Sequence, residues 1–109
     1  MNIVKINIAD RHELLRCYIK QFKFGGIFAK GRYNYTLGEE VFLLMTLVET
    51  NESFALNSTV GWVTPPTTAG YPEGIGCQFN NDKASIAARN RIELLLGSAL
   101  NRDHDCYTF

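Results

Sequence analysis

The chain has 109 residues, 46% hydrophobic and 20% charged, enough apolar matter for one core and too little charge for a disordered segment. Eleven basic and eleven acidic residues cancel to zero net charge, which excludes a field of one sign drawing the molecule to nucleic acid or an anionic membrane. A single domain over residues 1–109 is expected, with no nucleic-acid partner and no membrane insertion.

The start M-N-I-V-K-I-N-I has no charged region followed by a long apolar one, and no apolar run is long enough to span a bilayer, so a soluble cytoplasmic protein is expected. Within Ile3 to Ile8, Val4, Ile6 and Ile8 share one face and Lys5 and Asn7 the other, the pattern of a half-buried strand. Asp10 with Glu13 has capping-box spacing and predicts a short helix. Leu14, Leu15, Tyr18 and Ile19 then give an apolar stripe that is either core or interface. Its two pairs, Leu14 with Tyr18 and Leu15 with Ile19, cannot both be buried comfortably in so small a protein, so one is a candidate surface patch.

The next stretch, Q-F-K-F-G-G-I-F, sets Gly25 and Gly26 inside an aromatic run. Two glycines there require a tight turn, a bulge or a close approach to the backbone. Gly26 to Ala29 reads as a short strand, Lys30 to Asn34 as a polar turn and Tyr35 to Glu39 as a link. Glu40 to Leu47 reads as a strand with little exposed surface, Glu49 to Ser53 as a turn, and Phe54 to Thr64 as a further strand closed by Pro65-Pro66. Thr67 to Glu73 is a loop, and Gly74 to Phe79 a strand placing Ile75, Cys77 and Phe79 on one face. Asn80 to Asp82 caps the one long helix, whose stripe is Ala84, Ala88, Ile92, Leu95, Leu96 and Ala99 and whose wet side holds Lys83, Arg89, Arg91 and Glu93. The tail carries two aromatic residues, Tyr107 and Phe109, which either dock on the body or engage a partner. These elements together predict an antiparallel sheet or small barrel carrying a C-terminal helix.

Catalytic chemistry is poorly provided for. His12 and His104 are the only histidines and neither lies near a nucleophile motif; Glu39 and Glu40, adjacent in a strand, point to opposite faces and cannot act as a joint acid and base. Cys17, Cys77 and Cys106 lack both disulfide-framework and zinc spacing, and neighbouring side chains in D-H-D-C, Asp103 to Cys106, do not converge on one ion. The glycines follow no phosphate-loop pattern. No enzyme activity, metal or cofactor is expected.

Taken together, Y-x-x-x-F-x-x-G-G-I-F (Tyr18 to Phe28), Y-x-L-G-E-E-V-F-L-L (Tyr35 to Leu44), V-G-W-V-T-P (Val60 to Pro65), G-I-G-C-Q-F and A-R-N-R-I-E-x-L-L-G-x-A-L (Ala88 to Leu100), with a final Y-T-F, resemble the PilZ domain family, and its founding pilus-assembly branch above all. The resemblance implies a mainly β fold: a small six-stranded antiparallel barrel with a short N-terminal helix and a longer C-terminal helix. It also implies an adaptor role in type IV pilus biogenesis and twitching motility, with a hexameric PilB-type assembly ATPase as partner and, in some bacteria, a FimX-like EAL-domain regulator that itself senses cyclic di-GMP. Typical receptor members hold that nucleotide with R-x-x-x-R and [D/N]-x-S-x-x-G. Aligning the motif glycine with Gly26 puts Gln21 and Lys23 where the compact acceptor and hydroxyl belong, and Arg16 with Lys20 lacks the second guanidinium fork. An adaptor that does not bind the nucleotide is therefore expected, the alternatives being a direct receptor with an atypical site and a passive structural subunit. Candidate protein-binding residues are Leu15, Tyr18, Trp62, Tyr107 and Phe109, with Trp62 read as an exposed anchor and Arg89 and Arg91 as a solvated helix face or rim contacts.

Overall fold

The computed structural model describes residues 2–65 and 72–101. Five strands and two helices follow in the order β1 (Ile3–Ile8), α1 (Arg11–Cys17), β2 (Gly26–Lys30), β3 (Glu40–Leu47), β4 (Glu52–Val63), β5 (Gly74–Phe79) and α2 (Lys83–Leu96), and a short 3-10 helix, Gly97–Asn101, continues from α2. The strands form one sheet in the order β1-β3-β4-β5-β2. It curls so far that its two edge strands, β1 and β2, line a common opening. The architecture is a half-barrel with five strands among the described residues, where six were expected.

One pair also departs from the expected antiparallel pattern: β1 runs parallel to β3, with Ile3 opposite Phe42 and Ile8 opposite Leu47. A parallel pair needs a crossover connection, and the chain supplies one: it leaves β1 through α1, lays β2 on the far edge against β5, and returns to β3. Alternation does the rest. In β3, Val41, Leu43, Met45 and Leu47 are buried while Phe42, Leu44 and Thr46 between them are half-exposed. The four residues after Leu47 turn the chain into β4, helped by Asn51, which takes a positive φ of 55° and is a residue type that tolerates it.

The inner face joins Val4, Leu43, Met45, Leu56, Val60, Ile75, Cys77 and Phe79 in one core with Ala88, Ile92 and Leu96 of α2. The predicted stripe of α2 holds at Ala88, Ile92 and Leu96, with Leu95 half-buried against the core; at its start Ser85 is buried and Ala84 exposed, and Ala99 falls in the 3-10 helix beyond the end of α2. Asp82 caps this helix by accepting from the Ser85 N–H at 2.8 Å. The cap of α1 is as predicted on one side, Asp10 accepting from the Glu13 N–H at 2.9 Å, but the Glu13 carboxylate reaches back to the Ala9 N–H instead of that of the capping residue.

Helix α1 is shorter than its apolar stripe. Tyr18 has extended dihedrals (φ −72°, ψ 128°), and it pairs as an isolated bridge with Ile27 while the Ile19 N–H donates to the Gly26 carbonyl. Tyr18 and Ile19 therefore form a strand-like edge on β2, and helical spacing does not apply to them. That is why Leu14, Tyr18 and Ile19 can all be buried at once, with Leu15 packed half-exposed against the same core.

Candidate functional site

Gly25 and Gly26 have different duties. Gly25 ends a turn, its N–H donating to the Phe22 carbonyl at 3.0 Å, and it takes a φ of 76° that side chains rarely adopt. Gly26 is a place of close approach: a Cβ there would stand 2.5 Å from Phe22 Cδ2 and 2.6 Å from the Cys77 carbonyl oxygen. The same phenyl ring lies 3.0 Å from a Cβ position at Gly61 and 3.4 Å from one at Gly76. Glycines on three neighbouring strands, β2, β5 and β4, thus make a flat floor on the outer face of the sheet, and Phe22 lies on it. The backbone is approached by the chain's own ring.

Trp62 stands beside that ring. Alternation alone would put Val60 and Trp62 on one face, but a bulge at Gly61 intervenes: Val60 faces Cys77, whereas Trp62 faces Gly76. Val60 consequently points into the core and Trp62 sits half-buried on the outer face. Trp62 Cβ and Ile19 Cδ1 lie 2.8 and 2.9 Å from a Cβ position at Gly76, so tryptophan, isoleucine and Phe22 converge there. The indole N–H donates to Thr64 Oγ1 at 3.3 Å, and that hydroxyl donates to the Pro72 carbonyl at 2.9 Å, which fixes the ring's edge. Lys23 extends over the Phe24 ring at 5.3 Å, a cation–π contact within the same loop. Gln21 is exposed.

Tyr18 is a correction. Expected as a possible contact on the surface, it is 1% exposed, and its hydroxyl donates to Glu93 Oε2 at 2.5 Å, joining the end of α1 to α2. Burial, then that bond to the carboxylate, push the phenol's pKa well above its usual value. Lys20, which stands where the second arginine of R-x-x-x-R would fall and was not expected to replace it, donates to the Leu100 carbonyl at 2.9 Å. Arg91 is likewise no loose solvated charge: Nε and Nη2 grip the Glu52 carboxylate of β4 at 2.8 and 2.9 Å and hold that carboxyl's pKa below its usual value. Leu15 lies on α1 as a half-exposed core neighbour, while Tyr107 and Phe109 fall outside the described residues.

Tyr33 and Tyr35 were missed as packing groups. The segment read as a polar turn and link stacks these two rings at a centroid distance of 6.0 Å and presses both on the core. Their alternate spacing, tyrosine at every second position, was the available signal. Cys77 is buried within the sheet, and burial pushes its thiol up to about 12. Among the described residues no cluster of three or more metal-ligating side chains gathers, and no helix is long and apolar enough to cross a membrane.

The described residues form a curled, mainly β half-barrel with a short helix and a C-terminal helix, and an aromatic ring lies on its glycine floor. The chain belongs to the PilZ domain family, whose model matches residues 2–97. A comparison with curated proteins returned no match.

Proposed function

We propose that this protein is a cytoplasmic adaptor in type IV pilus assembly and twitching motility, acting by protein–protein contact with a PilB-type assembly ATPase and, where present, a FimX-like EAL-domain regulator, without itself binding cyclic di-GMP. The observation that carries the reading is Phe22. At the family's nucleotide-binding segment, Gln21 and Lys23 replace the compact polar groups, and the floor beside Gly26 is covered by the protein's own phenyl ring. A nucleotide entering there has to displace an aromatic contact that Ile19 and Trp62 support. The surface beside Phe22 carries the half-buried Trp62, and tryptophan is enriched at interface hot spots.

Calorimetric titration of the purified protein with cyclic di-GMP, beside a typical receptor domain as positive control, tests the first half. No heat and no rise in Tm are expected; saturable binding would give first place to a direct receptor. Trp62→Ala tests the second half. It should weaken a stoichiometric complex with the ATPase at least about tenfold while the fold persists. Unchanged ATPase binding by the variant would remove Trp62 from the interface.

A further inference from the structure

Among the described residues strand β1 pairs with β3 alone. The Asn2 and Ile8 carbonyls accept from the Phe42 and Val48 N–H groups, so the even-numbered residues of β1 turn their backbone groups toward β3. Ile3, Lys5 and Asn7 therefore present N–H and C=O to the opposite side, and those groups have no partner among the described residues. The edge is exposed, with Ile3 49% accessible. It borders the opening between β1 and β2, a cavity of about 260 Å³ with an apolar lining that includes Ile6, Cys17 and Phe28. Lys5, exposed on the outer side of β1, also borders it; among the described lining residues the one carboxylate, that of Glu13, already accepts from the Ala9 N–H. By contrast the free side of β2 is partly occupied by Tyr18 and Ile19.

We propose that this edge of β1 is a docking site for an extended segment of a partner protein, which adds to the sheet as its sixth strand and carries alternating apolar and acidic residues. Residues opposite Ile6 face the apolar opening, and residues opposite Lys5 face the outer side, where a carboxylate meets the lysine. Main-chain bonds supply the attachment and the alternating side chains the selectivity. A second copy of this chain is a poorer occupant: the antiparallel registers that pair most of β1 with itself place Lys5 opposite or one diagonal from its own counterpart. The inference rests on the adaptor reading only for the existence of a partner.

A synthetic heptapeptide of alternating valine and glutamate is the probe, followed by amide hydrogen exchange and nitrogen-15 NMR on the full chain. Exchange should slow at least about tenfold at Ile3, Lys5 and Asn7 at saturation. The lysine analogue of the peptide should bind roughly three- to tenfold more weakly. Lys5→Pro removes a donor that no bond among the described residues uses, so it should keep the native spectrum and abolish binding, whereas Lys5→Ala should retain it. The proposal is overturned if those amides stay unprotected at millimolar peptide, are already protected in the free monomer, or become protected by dimerisation alone. Because no ATPase is present, failure here is distinct from failure of the pilus reading.

Discussion

Gly26→Ala tests the glycine floor most directly. The new methyl group would meet a phenyl carbon at 2.5 Å and a backbone carbonyl oxygen at 2.6 Å. The ring can turn aside, but the Cys77 carbonyl is fixed where β5 pairs with β2. Overpacking of this kind costs about 1–3 kcal/mol, and a carbonyl that cannot retreat argues for the upper half of the range. Replacing glycine also restricts the unfolded chain, which returns about 0.5–1 kcal/mol. The expected net loss is about 2 kcal/mol, or roughly 8 °C in Tm for a domain of this size. Urea denaturation with linear extrapolation reads it, and a Phe22→Ala background apportions it. Without the ring the cost should fall by about 1 kcal/mol, the remainder belonging to the carbonyl. Gly38→Ala is the control: φ is 90° and nothing lies within 4 Å, so its cost of about 1–2 kcal/mol is backbone strain and should be indifferent to Phe22. Equal Gly26→Ala costs in both backgrounds would mean that Phe22 does not rest on the floor, and the structural case against nucleotide entry would go with it.

Tyr18→Phe should cost about 1–2 kcal/mol in the same assay, a charged hydrogen bond partly offset because the Glu93 carboxylate can rehydrate. With the phenol's pKa raised in the fold, wild-type stability is intact below the ordinary tyrosine value of about 10 and falls as pH rises beyond it; Tyr18→Phe should lack that alkaline contribution. In acid the sign reverses. The Arg91 bond lowers the Glu52 pKa and the Ser85 N–H lowers that of Asp82, so their contributions are present above the ordinary carboxylate range and are lost as pH falls through the folded values. Glu52→Gln should flatten that acid slope in pH-dependent melts. The Cys77 thiol, buried and pushed up to about 12, should react with a thiol reagent at pH 8 only as fast as the domain opens.

Where packing obeyed a simple period, the sequence was legible. The faces of β1 and β5, most of the stripe of α2 and both helix caps follow from spacing that two or four residues are enough to define. Three features were not legible, each because a nonlocal bond overrides a local pattern. Tyr18 and Ile19 leave the helical period because β2, which follows the glycine turn and folds back beside them, offers their backbone a partner. Trp62 changes face because one residue is added to β4 at Gly61, and a bulge of one residue leaves no trace in hydrophobicity. The parallel β1–β3 pair depends on where β2 goes, which no window of residues records. The glycine floor was half legible: a tight turn, a bulge or a close approach was expected at Gly25-Gly26, and the structure has a turn at Gly25 and a close approach at Gly26 by Phe22, a ring the sequence alone does not single out.

The loop from Tyr18 to Gly26 is fastened at several points, and that bears on the proposed absence of nucleotide binding. The Tyr18 hydroxyl ties it to α2, Lys20 ties it to the carbonyl of Leu100 beyond α2, and Phe22 presses it on three strands. In a receptor such a segment has to offer polar groups to an incoming phosphate and shift as it binds. Here the groups are spent on the protein itself, and freeing them means breaking a charged hydrogen bond and lifting an aromatic ring from its bed. The same fastening holds Phe22 against the outer face. An aromatic surface held in place loses little conformational entropy when a protein partner covers it, so on the proposed reading the contacts that oppose nucleotide entry also favour a preformed docking face.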